Sequence, residues 1–400
     1  MKKATISLLA VMTVLTMWGN YPWLTRVYEY RPAPGQFINT MPLCRIGEPM
    51  DSVLARCRAA LTSVRIDTST AIIDGEVYTR IDTTWAGMIS LGGYGGYIVV
   101  GFDHPVVNMH GYDFEIYGNA FIGDEDPTGT GGSCEPGIVM VGVDCDGDGV
   151  PSDGDKWYEL AGSEYDNPKT QHDYTITYYR PDEGKERTPS HVDSDLNDTT
   201  YIRWTSNDVN PDSTSGYMSR NVYHNQPYWP LWQQDQDVLA FSGSKLRCNA
   251  INIGTQSRPY YVQYFFGWGY VDNLPNYQKL APEALHNPGF KIDWAVDEQG
   301  RHVNLTHIDF IKVYNAMNQY CGRLGETSTE VTGGIDFHPD AVLPAVLAGD
   351  VNGDGEVNVS DINVVVDYIL SGTMSTAADV DGDGEVTVGD VNKLIDLILQ

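Results

Sequence analysis

Basic residues are scarce in this chain. Lysine and arginine number 25 against 54 aspartates and glutamates, a net charge of −29 over 400 residues. A field of that sign repels phosphate backbones and anionic headgroups, so it argues against nucleic acid and acidic membrane surfaces as partners. Long apolar runs are also missing beyond Trp18. The run Ala4 to Trp18 follows Lys2 and Lys3 and is short for a membrane crossing. It reads as an export signal over residues 1–20, with an uncleaved anchor as the alternative. No cysteine follows it closely, so the usual lipoprotein anchor is not expected. The expected location is secreted or at the surface of a Gram-negative cell, with no integral span in the mature chain.

Cysteine pairs at metal spacing are lacking too. Cys44, Cys57, Cys134, Cys145, Cys248 and Cys321 include no Cys-x-x-Cys, which argues against zinc. In an exported chain, Cys134–Cys145 is the most local disulfide option; buried free thiols fit equally well. No Gly-x-Ser-x-Gly or His-Glu-x-x-His occurs. Glycoside hydrolysis needs two placed carboxylates, and no motif singles out a pair among Asp103, Asp113, Glu115, Glu159 and Glu164. Asp113 and Glu115 alternate along one strand and are expected to face solvent or a loop. No catalytic residue is assigned, and the chain reads more as a binder than as an enzyme.

Helical periodicity is absent from about residue 25 to 335 except over Asp51 to Thr62. Short β-type runs fill the rest: Tyr97–Phe102, Tyr112–Tyr117, Gly137–Val143, Tyr174–Tyr179, Tyr260–Phe266 and Thr306–Tyr314. With 42 % apolar residues, the chain can bury a real core. Strands at short intervals without intervening helices point to a mainly β, antiparallel β-sandwich.

Three acidic loops stand out. The first places Asp350, Asn352, Asp354, Glu356, Asn358 and Asp361 at positions 1, 3, 5, 7, 9 and 12 of a twelve-residue stretch, with Gly355 at position 6. The second repeats it 29 residues later with Asp379, Asp381, Asp383, Glu385, Thr387, Asp390 and Gly384. Odd positions turn inward, position 7 offers its backbone carbonyl, and the glycine takes the sharp turn; this is how a short loop wraps Ca²⁺. An apolar run follows each copy. The third loop, Asp144, Asp146, Asp148, Val150, Ser152 and Asp155 with Gly149 at position 6, lies between two strand-like runs. It reads as a hairpin connection that either binds Ca²⁺ or is a solvated turn.

The paired loops and their apolar runs resemble a dockerin type I module over residues 349–400. As in dockerins, an aspartate closes each loop. The resemblance implies Ca²⁺ binding, two loop–helix repeats and a cohesin-like partner, on a chain that takes part in polysaccharide breakdown. Many cohesin-reading dockerins carry Ser/Thr pairs at positions 10 and 11; here those positions are Val359-Ser360 and Val388-Gly389. A second resemblance rests on Ser90–Asp103, Asp113–Asn119, Glu135–Val141 and Lys156–Ser163. Residues 27–338 are similar to a group of gut Bacteroidetes cell-surface proteins whose core resembles the galactose-binding-like jelly roll.

The expected organisation is a signal at 1–20, a jelly-roll-like sandwich at 25–338, a linker at 339–347 and a calcium domain at 348–400. Sugar rings stack on flat aromatics while amides and acids bind their hydroxyls. Tyr223, Tyr228, Trp229 and Trp232, in a loop rich in proline and asparagine, are the expected glycan contacts. Trp268 and Trp294 are expected in the core. The reading is a Ca²⁺-dependent, glycan-binding component of extracellular polysaccharide capture. The alternatives are a glycoside hydrolase and a structural, adhesive or nutrient-uptake accessory protein.

Overall fold

The computed structural model describes residues 20–62, 64–73, 76–85, 87–123, 131–256, 258–276, 287–343, 348–352, 356–371 and 377–399. The expected export signal, apart from Asn20, lies outside the described residues. So do Asp354, Gln400 and residues 344–347 of the expected linker.

Two antiparallel sheets organise the large module. Their strands are β1 (Arg26–Arg31), β2 (Tyr97–Gly101), β3 (Gly137–Val143), β4 (Lys156–Leu160), β5 (Gln171–Tyr179), β6 (Leu196–Ser206), β7 (Ser215–Asn221), β8 (Val238–Lys245), β9 (Ala295–Val296) and β10 (Phe310–Asn315). The first sheet has the order β1-β2-β10-β3-β4-β9 and the second β7-β6-β5-β8. The result is a mainly β, antiparallel sandwich, consistent with a jelly-roll-like domain.

The first sheet is covered on both faces, and this explains its nearly unbroken apolar runs. Along β3, Val139 and Val141 enter the main core. Ile138 and Met140 turn to the opposite side, with Tyr314 and Leu246. Helix α1 (Met50–Thr62) closes the outer face of the main core through Val53, Cys57 and Leu61, spaced four apart. It starts directly after Pro49, and Asp51 in its first turn complements the helix dipole. The second sheet buries one face only. Tyr174, Ile176 and Tyr178 of β5 point inward with Leu239 and Phe241 of β8, while the residues between them are wetter.

A long hairpin pairs Val64–Ile73 with Glu76–Trp85. At the C-terminus lie α2 (Val359–Ser371) and α3 (Val388–Ile398). Their shared core centres on just Val351, Val365, Ala378 and Leu394. Among the described residues, no helix is long and apolar enough to cross a membrane.

All six cysteines are unpaired. The Cys134–Cys145 option fails because Cys134 is buried while Cys145 is exposed in the hairpin loop. Burial pushes the Cys134 thiol up to about 12. Trp268 also departs from expectation: it is 40 % exposed, with its ring tilted against that of the half-buried Trp294 at 4.4 Å.

Candidate functional site

The loop at Asp379–Asp390 is built by its own carboxylates. Asp379 accepts from the backbone N–H of Gly382 and Gly384, both at 2.9 Å. Asp383 accepts from Glu385 N at 2.9 Å. The closing Asp390 is fully buried and accepts from Val380 N and Thr387 N, each at 2.7 Å. Its burial alone would raise its pKa, but the backbone donors outweigh that and hold it below the ordinary aspartate value. Asp390 thereby caps α3 reciprocally with Thr387, whose hydroxyl accepts from Gly389 N. Gly382 and Gly384 take φ of 76° and 89°, which a side chain would resist.

The first loop repeats the closure. Asp361, also fully buried, accepts from Val351 N at 2.7 Å and Asn358 N at 2.8 Å. Asn358 accepts from Ser360 N at 2.8 Å.

The loop between β3 and β4 follows the same plan, position for position. Asp144 accepts from Gly147 N at 2.7 Å and Gly149 N at 2.8 Å. Asp148 accepts from Val150 N at 2.8 Å. Asp155 accepts from Cys145 N at 3.0 Å and Ser152 N at 2.6 Å, and Ser152 from Gly154 N at 3.1 Å. Gly147 and Gly149 have φ of 73° and 74°. The loop ends in a strand, not a helix: Val143 pairs with Lys156 across the hairpin. Asp309 steadies its entry by accepting from Asp144 N at 2.8 Å.

These loops suit a hard cation. One oxygen each of Asp379, Asp381 and Asp383 lie within 4.8 Å of one another, as do one each of Asp144, Asp146 and Asp155. Oxygens around Ca²⁺ at 2.3–2.6 Å are at most about 5 Å apart, so each trio could close on one ion with little movement.

The expected glycan loop is not assembled as a platform. Tyr228 and Trp229 are 0 % and 2 % exposed. Trp232 is half-buried and stacks on Tyr30 at 5.7 Å. Only Tyr223, 63 % exposed, faces solvent. Asn39 draws the loop inward by donating to the carbonyls of Pro227 and Trp229, both at 2.9 Å. The Trp229 indole donates to Gln233 O at 3.2 Å. Large rings gain most when fully covered, and here that outcome prevails.

Asp113 and Glu115 are buried as well, against expectation. Asp113 ties two segments together by accepting from Met109 N and Ile292 N, both at 2.7 Å.

Sequence reasoning missed a buried acidic cluster. Glu135, Asp272 and Glu330 each bring one oxygen within 4.8 Å of the others. Among the described residues, no lysine, arginine or histidine forms an ion pair with them. Burial pushes Glu135 up to about 7, and burial with mutual repulsion raises Asp272 and Glu330 strongly. Glu135 and Glu330 line a pocket of about 420 Å³ with Glu326, which burial also lifts to about 7. The available sequence signal was an acid inside each apolar context, Val271-Asp272 and Glu330-Val331.

Comparison with known families assigns one part of the chain. Residues 348–399 match the family model of the Dockerin type I domain, so this segment is a dockerin. It sits on a β-sandwich for which no curated relative matches.

Proposed function

We propose that this is a Ca²⁺-dependent, dockerin-bearing extracellular protein. In this reading residues 348–400 dock onto a cohesin-like partner, and the sandwich at 25–338 carries a glycan-binding surface. The observation that carries it is the duplicated loop, with its three-aspartate oxygen cluster, inside a dockerin segment. Ca²⁺ would supply the positive charge that lets converging carboxylates stay ionised side by side. Asp350, Asn352, Asp354, Asn358 and Asp361 would hold one ion, with the Glu356 carbonyl. Asp379, Asp381, Asp383, Thr387 and Asp390 would hold another, with the Glu385 carbonyl. Asp144, Asp146, Asp148, Ser152 and Asp155, with the Val150 carbonyl, would hold a third in the sandwich. Asp361 and Asp390 orient the loops through backbone bonds, so helix and loop order together. The test is capture of the full chain on immobilised cohesin domains. Capture in Ca²⁺ that is lost on chelation and in Asp350→Ala/Asp379→Ala supports the reading; capture indifferent to both changes contradicts it.

The hydrolase alternative is favoured by one observation: Glu135 and Glu326, both lifted to about 7, share a pocket. A carboxyl that holds its proton near neutrality can serve as a general acid. Release of reducing sugar that disappears in both Glu135→Gln and Glu326→Gln would establish this reading over simple binding.

A further inference from the structure

The glycan reading loses its expected loop, yet the sandwich has a larger cleft that fits the same chemistry. A cleft of about 590 Å³ runs between the β6–β7 side of the second sheet and the segment that follows β10. That volume lies within the usual range for small-ligand sites. Flat rings stand along it: Trp204 on β6, Tyr217 on β7 and Tyr320. Tyr217 and Tyr320 are 49 % and 55 % exposed. The Trp204 indole lies across Gly216, its partner on β7. A Cβ at Gly216 would come within 2.5 Å of the indole, so glycine is what lets the ring lie flat. Asn210 and Asn318 add amide groups to the walls.

The second observation is an orphan. Tyr94 lines the cleft, is 1 % exposed, and its hydroxyl has no hydrogen-bond partner. A buried hydroxyl without a partner has lost its water and gained nothing in exchange. An incoming hydroxyl would relieve that cost. Lys245 is paired with Asp208 and Arg247 with Glu164, and the third lining cation, Lys169, shares the walls with Asp212 and Glu326, so the cleft carries no excess of positive charge that would call for an acidic ligand.

We propose that this cleft, and not the Tyr223–Trp232 loop, is the glycan site, and that it takes a short neutral oligosaccharide with a sugar ring on Trp204 and a hydroxyl on Tyr94. The inference rests on the glycan part of the function proposed above. The test is titration calorimetry of the full chain in Ca²⁺ with short xylan, mannan and β-glucan oligosaccharides, and oligogalacturonate as the acidic comparison. We expect one of the neutral oligosaccharides to bind. Tyr94→Phe and Trp204→Ala should each weaken that binding roughly tenfold, a stacking-scale loss, while Tyr223→Ala leaves it unchanged. Tyr94→Phe should not lower the melting temperature, because the hydroxyl it removes has no protein partner. Wild-type affinity in both Tyr94→Phe and Trp204→Ala would overturn the cleft while leaving the glycan reading intact. Preference for oligogalacturonate would overturn the neutral ligand. No binding of any of these sugars by the wild-type chain would remove the cleft and the glycan reading together.

Discussion

The hairpin loop at Asp144–Asp155 and the C-terminal loop at Asp379–Asp390 share a backbone and differ in what holds their ends. In both, position 1 gathers the N–H groups of positions 4 and 6, and position 12 gathers those of positions 2 and 9. The hairpin loop is clamped by β3 and β4, two paired strands of a sheet buried on both faces. The C-terminal loop is clamped by a helix whose small module centres on four buried apolar residues. A core that small does not fold strongly alone, so a cation bound there would become part of its folding free energy. The difference teaches that loop chemistry is local, while its consequence for stability belongs to the scaffold.

The strongest way to break this comparison is Asp350→Ala with Asp379→Ala. We expect Ca²⁺-induced helicity of the C-terminal module to vanish in circular dichroism, with the sandwich intact. Unchanged helicity would mean the module folds without its ions. Asp144→Ala should do much less: one ion is lost, and the two bonds from Gly147 and Gly149, in a loop open to water, cost about 0.5–1.5 kcal/mol each in the melting of a sandwich that stays folded.

The two regions should also answer pH with opposite sign. Glu135 keeps its proton in the folded sandwich up to about 7, well above an unfolded glutamate. Between those limits the unfolded chain binds fewer protons, so this group's stabilisation is lost as pH rises from the ordinary glutamate range through about 7. Asp390 is held below the ordinary aspartate value, so its contribution is present above that value and is lost as pH falls through its lowered pKa. Differential scanning calorimetry should show the sandwich melting higher at about pH 5 than at about pH 8, while the dockerin holds between those values and melts lower at about pH 3. Parallel shifts would contradict the assignment.

The smallest effect concerns a side-chain contact that bridges the regions. Lys156, next after the hairpin loop, donates to the Tyr368 hydroxyl on α2 at 3.3 Å. Lys156→Ala should shift either transition by less than about 1 kcal/mol. A larger shift would show that the two regions fold as one.

The sequence was most legible where spacing alone sets geometry. Among the described residues, acid and glycine positions in the Asp144 and Asp379 loops, and the closing Asp361 of the first loop, map onto backbone bonds because each side chain there reaches only a few residues. The runs at Gly137–Val143 and Tyr174–Tyr179 were readable as strands for a similar reason. What escaped depends on distant segments. Trp229 looks like a surface ring until Asn39 pulls its loop inward. Glu135, Asp272 and Glu330 come together from separate parts of the chain. The Trp204 cleft needs Gly216 on the neighbouring strand, which no local pattern announces.

Calcium titration calorimetry of the full chain, beside Asp144→Ala and Asp379→Ala, tests the central claim most directly. Three sites are expected in the wild type, one for each of its three loops. Asp144→Ala should lose one without losing helicity, and Asp379→Ala should lose helicity while keeping the hairpin site. No Ca²⁺ heat in the wild type, or losses that ignore which loop was changed, would contradict it.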